Sequence, residues 1–307
     1  MRRTITIFML LFLLACVVDR FRLRYASEEL RLVFFDVGQG DSALVEFPGG
    51  KTLLIDAGGG TDSSDVGSRV LVPELTRRGI LAVDYALLTH TDRDHALGFR
   101  GLMERIFVRE YWLSQWFADQ ELRAPLLNLL LAEARYHGSR WRLFQGRTQV
   151  REGDAVLTLF QPPVGDRKTN NHCLVTLLEF GTCRVLFTGD IESKAELSLL
   201  KDLPKVDLLK VAHHGSKTST SSAFLKGVSP QWAVISAGVE NTYGHPVPFV
   251  VERLTARGIQ IFRTDVHGYV KFAIDRHGKV SCTSSLGSCG EGFCRDAKRE
   301  IFIAPHY

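Results

Sequence analysis

No internal repeat and no low-complexity run interrupts the 307 residues, so repeat arrays and fibrous chains are excluded. Apolar residues make up 45% and charged residues 23%, which removes the disordered and collagen-like classes as well. Neither sign of charge is in large excess. The formal net charge of +4 is too small to argue by itself for a nucleic-acid partner, although it leaves a local basic patch open. Familiar catalytic turns are missing too: there is no Gly-x-Ser-x-Gly elbow and no Gly-x-x-x-x-Gly-Lys loop. What remains is length, enough for one large domain or two modest ones.

Long apolar runs are confined to one place. Met1-Arg2-Arg3 precedes an apolar stretch from Ile5 to Val18 and then Asp19-Arg20, the pattern of an export signal. The stretch falls short of the roughly 20 apolar residues that usually span a bilayer, although an uncleaved anchor stays open. Leu13-Leu14-Ala15-Cys16 resembles a bacterial lipobox, in which Cys16 becomes the lipidated first residue. The alternative is plain cleavage nearby, with Cys16 discarded. Residues 1–16 are thus read as an export signal and 17–29 as a linker. Both alternatives put the working domain outside the cytoplasm, in the periplasm or cell envelope, with membrane attachment if Cys16 is lipidated. Cysteine is sparse, and three of the six, Cys282, Cys289 and Cys294, crowd a Gly/Ser-rich tail. One disulfide among them suits an oxidising compartment, whereas their spacing matches no structural zinc site.

Glycine and proline punctuation cuts the remainder into short elements. Strands are predicted at 32–37, 42–47, 52–55, 83–89, 106–113, 155–160, 174–180, 184–188, 206–211, 232–236, 259–263 and 269–274. Helices are predicted over 67–78, 95–104, 118–137, 192–200 and 248–257. Strands with interspersed helices in both halves read as α/β: two mixed β-sheets packed face to face with helices outside, an αββα sandwich. One domain is read from residue 30 to 275, followed by a Cys-containing tail, 276–307, of uncertain structure.

His90-Thr91-Asp92-Arg93-Asp94-His95 places four metal-ligand types in six residues at the end of a predicted buried strand. Two imidazoles and two carboxylates cannot enter an apolar core without a large desolvation cost, and a divalent cation would satisfy all four. Taken alone, the cluster also fits a solvated turn. Other candidates follow strands elsewhere: Asp56 in Leu54-Ile55-Asp56-Ala57-Gly58, Asp190 in Phe187-Thr188-Gly189-Asp190, and the pair His213-His214 in Lys210-Val211-Ala212-His213-His214-Gly215-Ser216. An Asp before Gly is ordinarily a turn residue, so each signal is weak by itself and their order along the chain carries the weight.

Together with Phe35-Asp36-Val37-Gly38-Gln39-Gly40-Asp41-Ser42, Asn170-Asn171-His172-Cys173 and Tyr243-Gly244-His245-Pro246, these motifs resemble the metallo-β-lactamase-fold hydrolase superfamily. Its signature is His-x-His-x-Asp-His after a strand. They resemble most the hydrolase domain of the competence protein ComEC family, over residues 31 to 275. No polytopic membrane segment accompanies the domain here, so a DNA-transport role does not follow from the likeness.

The resemblance implies a site for two divalent ions. His90 and Asp92 would hold the first; Asp94 and His95 would hold the second. Asp190 would bridge them, His213 would complete the set, and Asp56 and His214 would support the ligands by hydrogen bonds. Asp92 stands where the commoner pattern has a second His, which shifts preference from zinc toward manganese or magnesium while leaving zinc open. The implied reaction is hydrolysis by a hydroxide bridging the two ions, with Asp94 serving the chemistry as well as the metal. His245 would protonate the leaving group or bind substrate, or would simply be a turn residue held by Pro246. Asn171, Ser216 and Lys217, with Lys168, would meet a phosphate, or would be solvated loop residues. Cys173 replaces the family's Ser and is read as a buried small residue, with a thiolate ligand or a disulfide as alternatives. His172 is read equally as a surface residue or a substitute ligand.

The expected function is an exported phosphodiesterase or nuclease acting on a phosphodiester such as DNA. Hydrolysis of an amide, lactone or other ester is the second reading. The third is a metal-bearing envelope protein that binds a nucleic acid or wall polymer without turnover. No protein partner is predicted.

Overall fold

The computed structural model describes residues 25–61, 64–119, 125–165 and 168–295, together with positions 6, 9 and 12. Cys16, and with it the lipobox, lies outside the described residues. No helix among the described residues is long and apolar enough to cross a membrane.

Strand alternation builds two sheets. In chain order the strands are β1 (Leu30–Phe34), β2 (Ala43–Glu46), β3 (Thr52–Ile55), β4 (Gly60–Thr61), β5 (Ser64–Asp65), β6 (Ala82–Leu88) and β7 (Phe107–Ser114). They continue as β8 (Arg140–Phe144), β9 (Arg147–Glu152), β10 (Ala155–Phe160), β11 (Val175–Phe180), β12 (Cys183–Phe187) and β13 (Leu208–Lys210). The last are β14 (Trp232–Ile235), β15 (Gln260–Arg263), β16 (Val270–Ile274), β17 (Lys279–Ser284) and β18 (Gly287–Phe293). One sheet runs β18-β17-β16-β1-β2-β3-β6-β7-β8 and the other β15-β14-β13-β12-β11-β10-β9, with β4 and β5 paired apart. Both sheets are mixed: β3-β6-β7-β8 and β12-β13-β14-β15 are parallel, the other pairs antiparallel.

Successive side chains on a strand face opposite ways, so each apolar strand feeds two cores. Leu32 and Phe34 of β1, with Leu87 and Trp112, meet Leu178, Val185, Phe187 and Val234 between the sheets. Their neighbours Val33, Leu54, Ala86 and Leu88 turn instead to helical residues Leu75, Phe99, Leu102 and Leu130. On the second sheet, Leu177, Leu186, Leu209 and Ile235 pack on Leu199, Phe224, Val250 and Leu254. Three apolar layers between four layers of structure make the expected αββα sandwich.

Several elements differ from expectation. Within the predicted helix 118–137 the described residues are helical at Gln115–Asp119 and Pro125–Tyr136, and the positions between lie outside the described residues. Strands β8 and β9 were not predicted, because their arginines mask the apolar alternation. Residues 279–293, within the tail of uncertain structure, form two strands: β17 pairs with β16 and β18 with β17, carrying the first sheet beyond residue 275. Cys282 and Cys289 are joined across that hairpin. Cys294 reaches outside the tail to Cys183 at the start of β12, with the Cα atoms 5.1 Å apart. Cys173 is buried and unpaired, as its place before an apolar strand suggested.

Candidate metal centre

Each sequence-derived ligand follows a parallel strand. Asp56 follows β3, His90 follows β6, Asp190 follows β12, and His213 and His214 follow β13. The C-terminal ends of these strands open on one side of the sandwich, where loops can approach one another without breaking the ladders. Backbone at the site is held in uncommon conformations: Asp56 (φ 58°), His213 (φ 51°) and His214 (φ 54°) all lie in the left-handed region. Such strain persists only where the surroundings over-determine it, as at functional sites. Gly40 serves the same purpose. Its φ of 135° and the Asp94 carbonyl against its Cα leave no room for a side chain, and this contact lets the Asp41 N–H donate to the Asp94 carbonyl at 3.2 Å.

Asp190 is the hub. Its Oδ1 lies 3.3 Å from His95 Nε2, and its Oδ2 lies 3.5 Å from His214 Nε2, 3.8 Å from His213 Nε2 and 4.0 Å from His90 Nε2. Asp94 reaches the same space, with Oδ2 3.3 Å from His214 Nε2. Asp92 lies 3.7 Å from His90 Nε2 and is half-exposed. One compact ligand group is therefore Asp94, His95, Asp190 and His214. His90, Asp92 and His213 stand beside it, with Asp190 Oδ2 shared between His214 of the first group and His90 and His213. His214, expected behind the ligands, thus stands among them, while His213 lies farther out.

The far side of each ring explains why these nitrogens are available. His95 Nδ1 meets Asp56 Oδ2 at 2.8 Å, and His214 Nδ1 meets the Ser236 carbonyl at 3.0 Å. His90 Nδ1 meets Thr89 Oγ1 at 3.1 Å, and that hydroxyl donates in turn to Asp56 Oδ2 at 2.7 Å. An acceptor at Nδ1 fixes the proton there and leaves the Nε2 lone pair facing inward. The Nε2 atoms of His90, His95 and His214 and Oδ1 of Asp190 are buried without a hydrogen-bond partner. Buried polar atoms are seldom left unmatched, and three imidazole lone pairs converging on carboxylates are the donor set of a divalent cation. The residues present fit such an ion.

Charge at the site is strongly coupled. Burial pushes His90 down to about 3, aided by the charge of His95. Burial also opposes the charged forms of His95 and His214, but carboxylates outweigh it. Asp190 and Asp56 lift His95 well above its ordinary value, and Asp190 and Asp41 lift His214 to about 10. Asp94 is also desolvated, yet His214 and His95 bring it down to about 2. Asp92, with more desolvation than compensation and Asp94 beside it, is raised.

Sequence reasoning missed a buried ion pair beneath the ligands. Lys210, last residue of β13, bonds Asp41, and both side chains are almost wholly buried. Asp41 Oδ1 lies 3.3 Å from His214 Nδ1, and Asp41 Oδ2 lies 3.9 Å from His95 Nδ1. The signal was present in Gly40-Asp41-Ser42 and Leu209-Lys210-Val211, a charge entering and a charge leaving apolar strands, but only the fold puts one against the other.

Residues 35–238 match the family described as the metallo-β-lactamase superfamily. The chain belongs to that superfamily. It is similar to ComE operon protein 3 of Bacillus subtilis, 32% identical over 282 residues, or 87% of this chain and 35% of that one. It is also similar to Recombination protein 2 of Haemophilus influenzae, 33% identical over 238 residues, or 77% of this chain and 28% of that one. The chain thus spans about a third of the length of these relatives. Among solved structures, a metallo hydrolase from Ignicoccus hospitalis overlays with a TM-score of 0.54 at 13% identity, covering 80% of this chain and 98% of that one. At that identity the overlay establishes the metallo-β-lactamase fold alone.

Around this superfamily centre the remaining candidates separate. His245 is half-buried, with its ring 5.7 Å from that of His213 and 6.4 Å from that of His214. Burial and the charges of those two rings lower its pKa. Asn171 is buried and accepts the Glu192 N–H at 3.0 Å, a structural duty. Ser216 bonds Thr218 at 3.1 Å, Lys168 pairs with Glu192, and Lys217 is exposed. His172 is stacked flat on Trp116, with ring centroids 3.9 Å apart, instead of joining the ligands.

Proposed function

We propose that the chain is an exported phosphodiesterase that works with two divalent ions. The observation that carries the reading is the Asp190 carboxylate, with Oδ1 toward His95 and Oδ2 toward His90, His213 and His214. One shared carboxylate between two donor sets is what a pair of ions needs. Asp94 and His95 with His214 form one set, and His90 and Asp92 with His213 form the other. Three carboxylates stand beside four imidazoles, a mixed oxygen and nitrogen set that suits manganese as well as zinc and leaves magnesium open.

When bound, such ions supply Lewis acidity to activate a water and positive charge to offset that gained by a substrate oxygen. The chain's own residues do the rest. Asp56, Thr89 and Ser236 lock three imidazoles in the orientation that presents Nε2. Lys210 balances the buried Asp41 carboxylate beneath the ligands. His245, half-buried beside His213 and His214, is placed to bind or protonate a leaving-group or phosphoryl oxygen. Similarity to a recombination protein and a competence-operon protein supports a phosphodiester substrate. Two disulfides support an oxidising compartment outside the cytoplasm.

The test is a metal-reconstitution assay. Protein stripped with chelator and reloaded with manganese, zinc or magnesium is offered bis-p-nitrophenyl phosphate, single-stranded DNA and duplex DNA. Metal-dependent turnover is expected, falling roughly 100-fold or more in Asp94→Ala and Asp190→Ala. Metal binding without turnover would leave a binding protein, and turnover of lactones or amides alone would overturn the substrate class.

A further inference from the structure

We propose that the open edge of the sandwich formed by residues 134–151 binds the phosphate backbone of a nucleic-acid strand and leads it to the metal centre. The inference rests on the phosphodiesterase reading and narrows its substrate to a polynucleotide.

The charge is concentrated where the elements end. Residues 134–151 contain Arg135, Arg140, Arg142, Arg147 and Arg151 and neither Asp nor Glu, in a chain whose net charge is +4. This one segment therefore carries the whole excess, and the rest of the chain is close to neutral. All five arginines are exposed. Among the described residues only Arg140 meets a carboxylate, Glu110 at 3.8 Å, and its side chain is still 78% exposed.

Topology turns the segment into one edge. β8 is the last strand of the nine-stranded sheet and β9 the last of the seven-stranded sheet, joined through Gln145-Gly146. Arg140 and Arg142 alternate along β8, and Arg147 and Arg151 along β9, spaced about 7 Å per pair of residues. Phe144, on the same side of β8 as Arg142, enters the core between the sheets. Phe160, over which Arg147 lies, enters the core on the helix side of the second sheet. The arginines thus wrap the edge from both faces, which suits a narrow polymer better than a flat membrane. Arg142 lies 4.9 Å over the Phe144 ring and Arg147 5.7 Å over Phe160, so the guanidinium planes are held in place. Tyr136, 85% exposed at the end of the preceding helix, offers a face for stacking a base.

The edge also leads to the right place. In the parallel ladder Leu88 pairs Leu113 and Leu113 pairs Leu143, so the end of β8 lies two strand spacings, roughly 10 Å, from the strand end that delivers His90. In the other sheet Arg147 pairs Phe160, Phe160 pairs Val175, and the adjacent Thr176 pairs Phe187, three residues before Asp190. The corner between β8 and β9 is therefore at the metal end, and Arg140 and Arg151 run away from it. Edge arginines can also serve only to prevent sheet-to-sheet pairing, a role that predicts aggregation on their removal and no change in DNA affinity.

The test compares the full chain with the Arg142→Gln, Arg147→Gln, Arg151→Gln triple variant and with the matching triple Lys variant. Anisotropy of a labelled single-stranded oligonucleotide and its duplex is read in chelator across a salt series. Turnover of the oligonucleotide and of bis-p-nitrophenyl phosphate is read with manganese. The Gln variant, at unchanged melting temperature, is expected to lose about tenfold or more in affinity, with the salt slope falling by about 1 for each phosphate contact removed. Its kcat/KM should fall for the oligonucleotide and hold for the small ester, and the Lys variant should retain binding. Unchanged affinity and slope would overturn the proposal. So would a selective loss of binding to phosphatidylglycerol vesicles, which would assign the edge to a membrane. Small-ester turnover with DNA binding indifferent to the arginines would sink the edge and leave the phosphodiesterase. Arginine-dependent DNA binding without turnover of any phosphodiester would do the reverse.

Discussion

Asp56 satisfies three donors with two oxygens. Oδ1 takes the Thr89 N–H at 2.8 Å, and Oδ2 takes both the Thr89 hydroxyl and the His95 ring. Replacing it with Asn keeps the volume but turns an N–H₂ toward donors, so the ring orientations of His95 and His90 loosen together. Asp56→Asn should weaken metal binding or lower turnover by roughly 10- to 100-fold, measured by calorimetric titration and by kcat/KM. Its place was legible in the sequence, because a carboxylate ending an apolar strand before glycine sits in line with the other candidate ligands. The choice between His213 and His214 was not. Neighbouring histidines look alike in sequence, and it is His214, with Nδ1 on the Ser236 carbonyl, whose ring joins the compact group.

The elements around the site are tied through the second sheet. β12 carries Cys183 at its start and leads to Asp190 at its end, so the Cys183–Cys294 bond anchors the strand that delivers the hub. The start of β12 is also braced by Asp207, whose carboxylate accepts the Arg184 and Arg295 N–H groups, both at 2.8 Å. Cys294→Ser should lower stability by about 2–5 kcal/mol and detach the end of β18, detected as a fall in melting temperature that reductant does not deepen further at this bond. Most strands were readable from apolar runs and turn residues. β17 and β18 were not, since Gly, Ser and Cys carry little strand signal and only the free edge of β16 recruits them. β8 and β9 escaped for the opposite reason: exposed arginines occupy the positions where alternation would have shown.

At the scale of the whole molecule, the clustered charges make stability depend on pH. Without metal, the raised pKa values of His95 and His214 contribute stability that is complete below about 6.5 and lost as pH climbs, through about 10 for His214. His90, lowered to about 3, acts oppositely and costs stability as pH falls from its ordinary value of 6.5. Asp94, lowered to about 2, loses its contribution as pH drops below 3.8 toward that value. Chelated protein should therefore melt highest near pH 6.5 and lower toward pH 10, followed by calorimetry, while stabilisation by added metal should grow as the imidazoles shed protons. An apo melting profile that is flat from pH 6.5 to 10 would contradict this reading. The sequence by itself determined the layered α/β plan and most of the acidic and imidazole side chains that gather at the candidate site, because both depend on local order: apolar runs make strands, and these residues follow strands. Only the tertiary structure decided what depends on distance. It paired Lys210 with Asp41 from 169 residues away, joined Cys183 to Cys294, seated His214 beside Asp190, and brought two arginine-bearing edge strands into one margin beside the site. Each is a contact between segments remote along the chain, and no local pattern encodes which of several equivalent charges, cysteines or rings will meet.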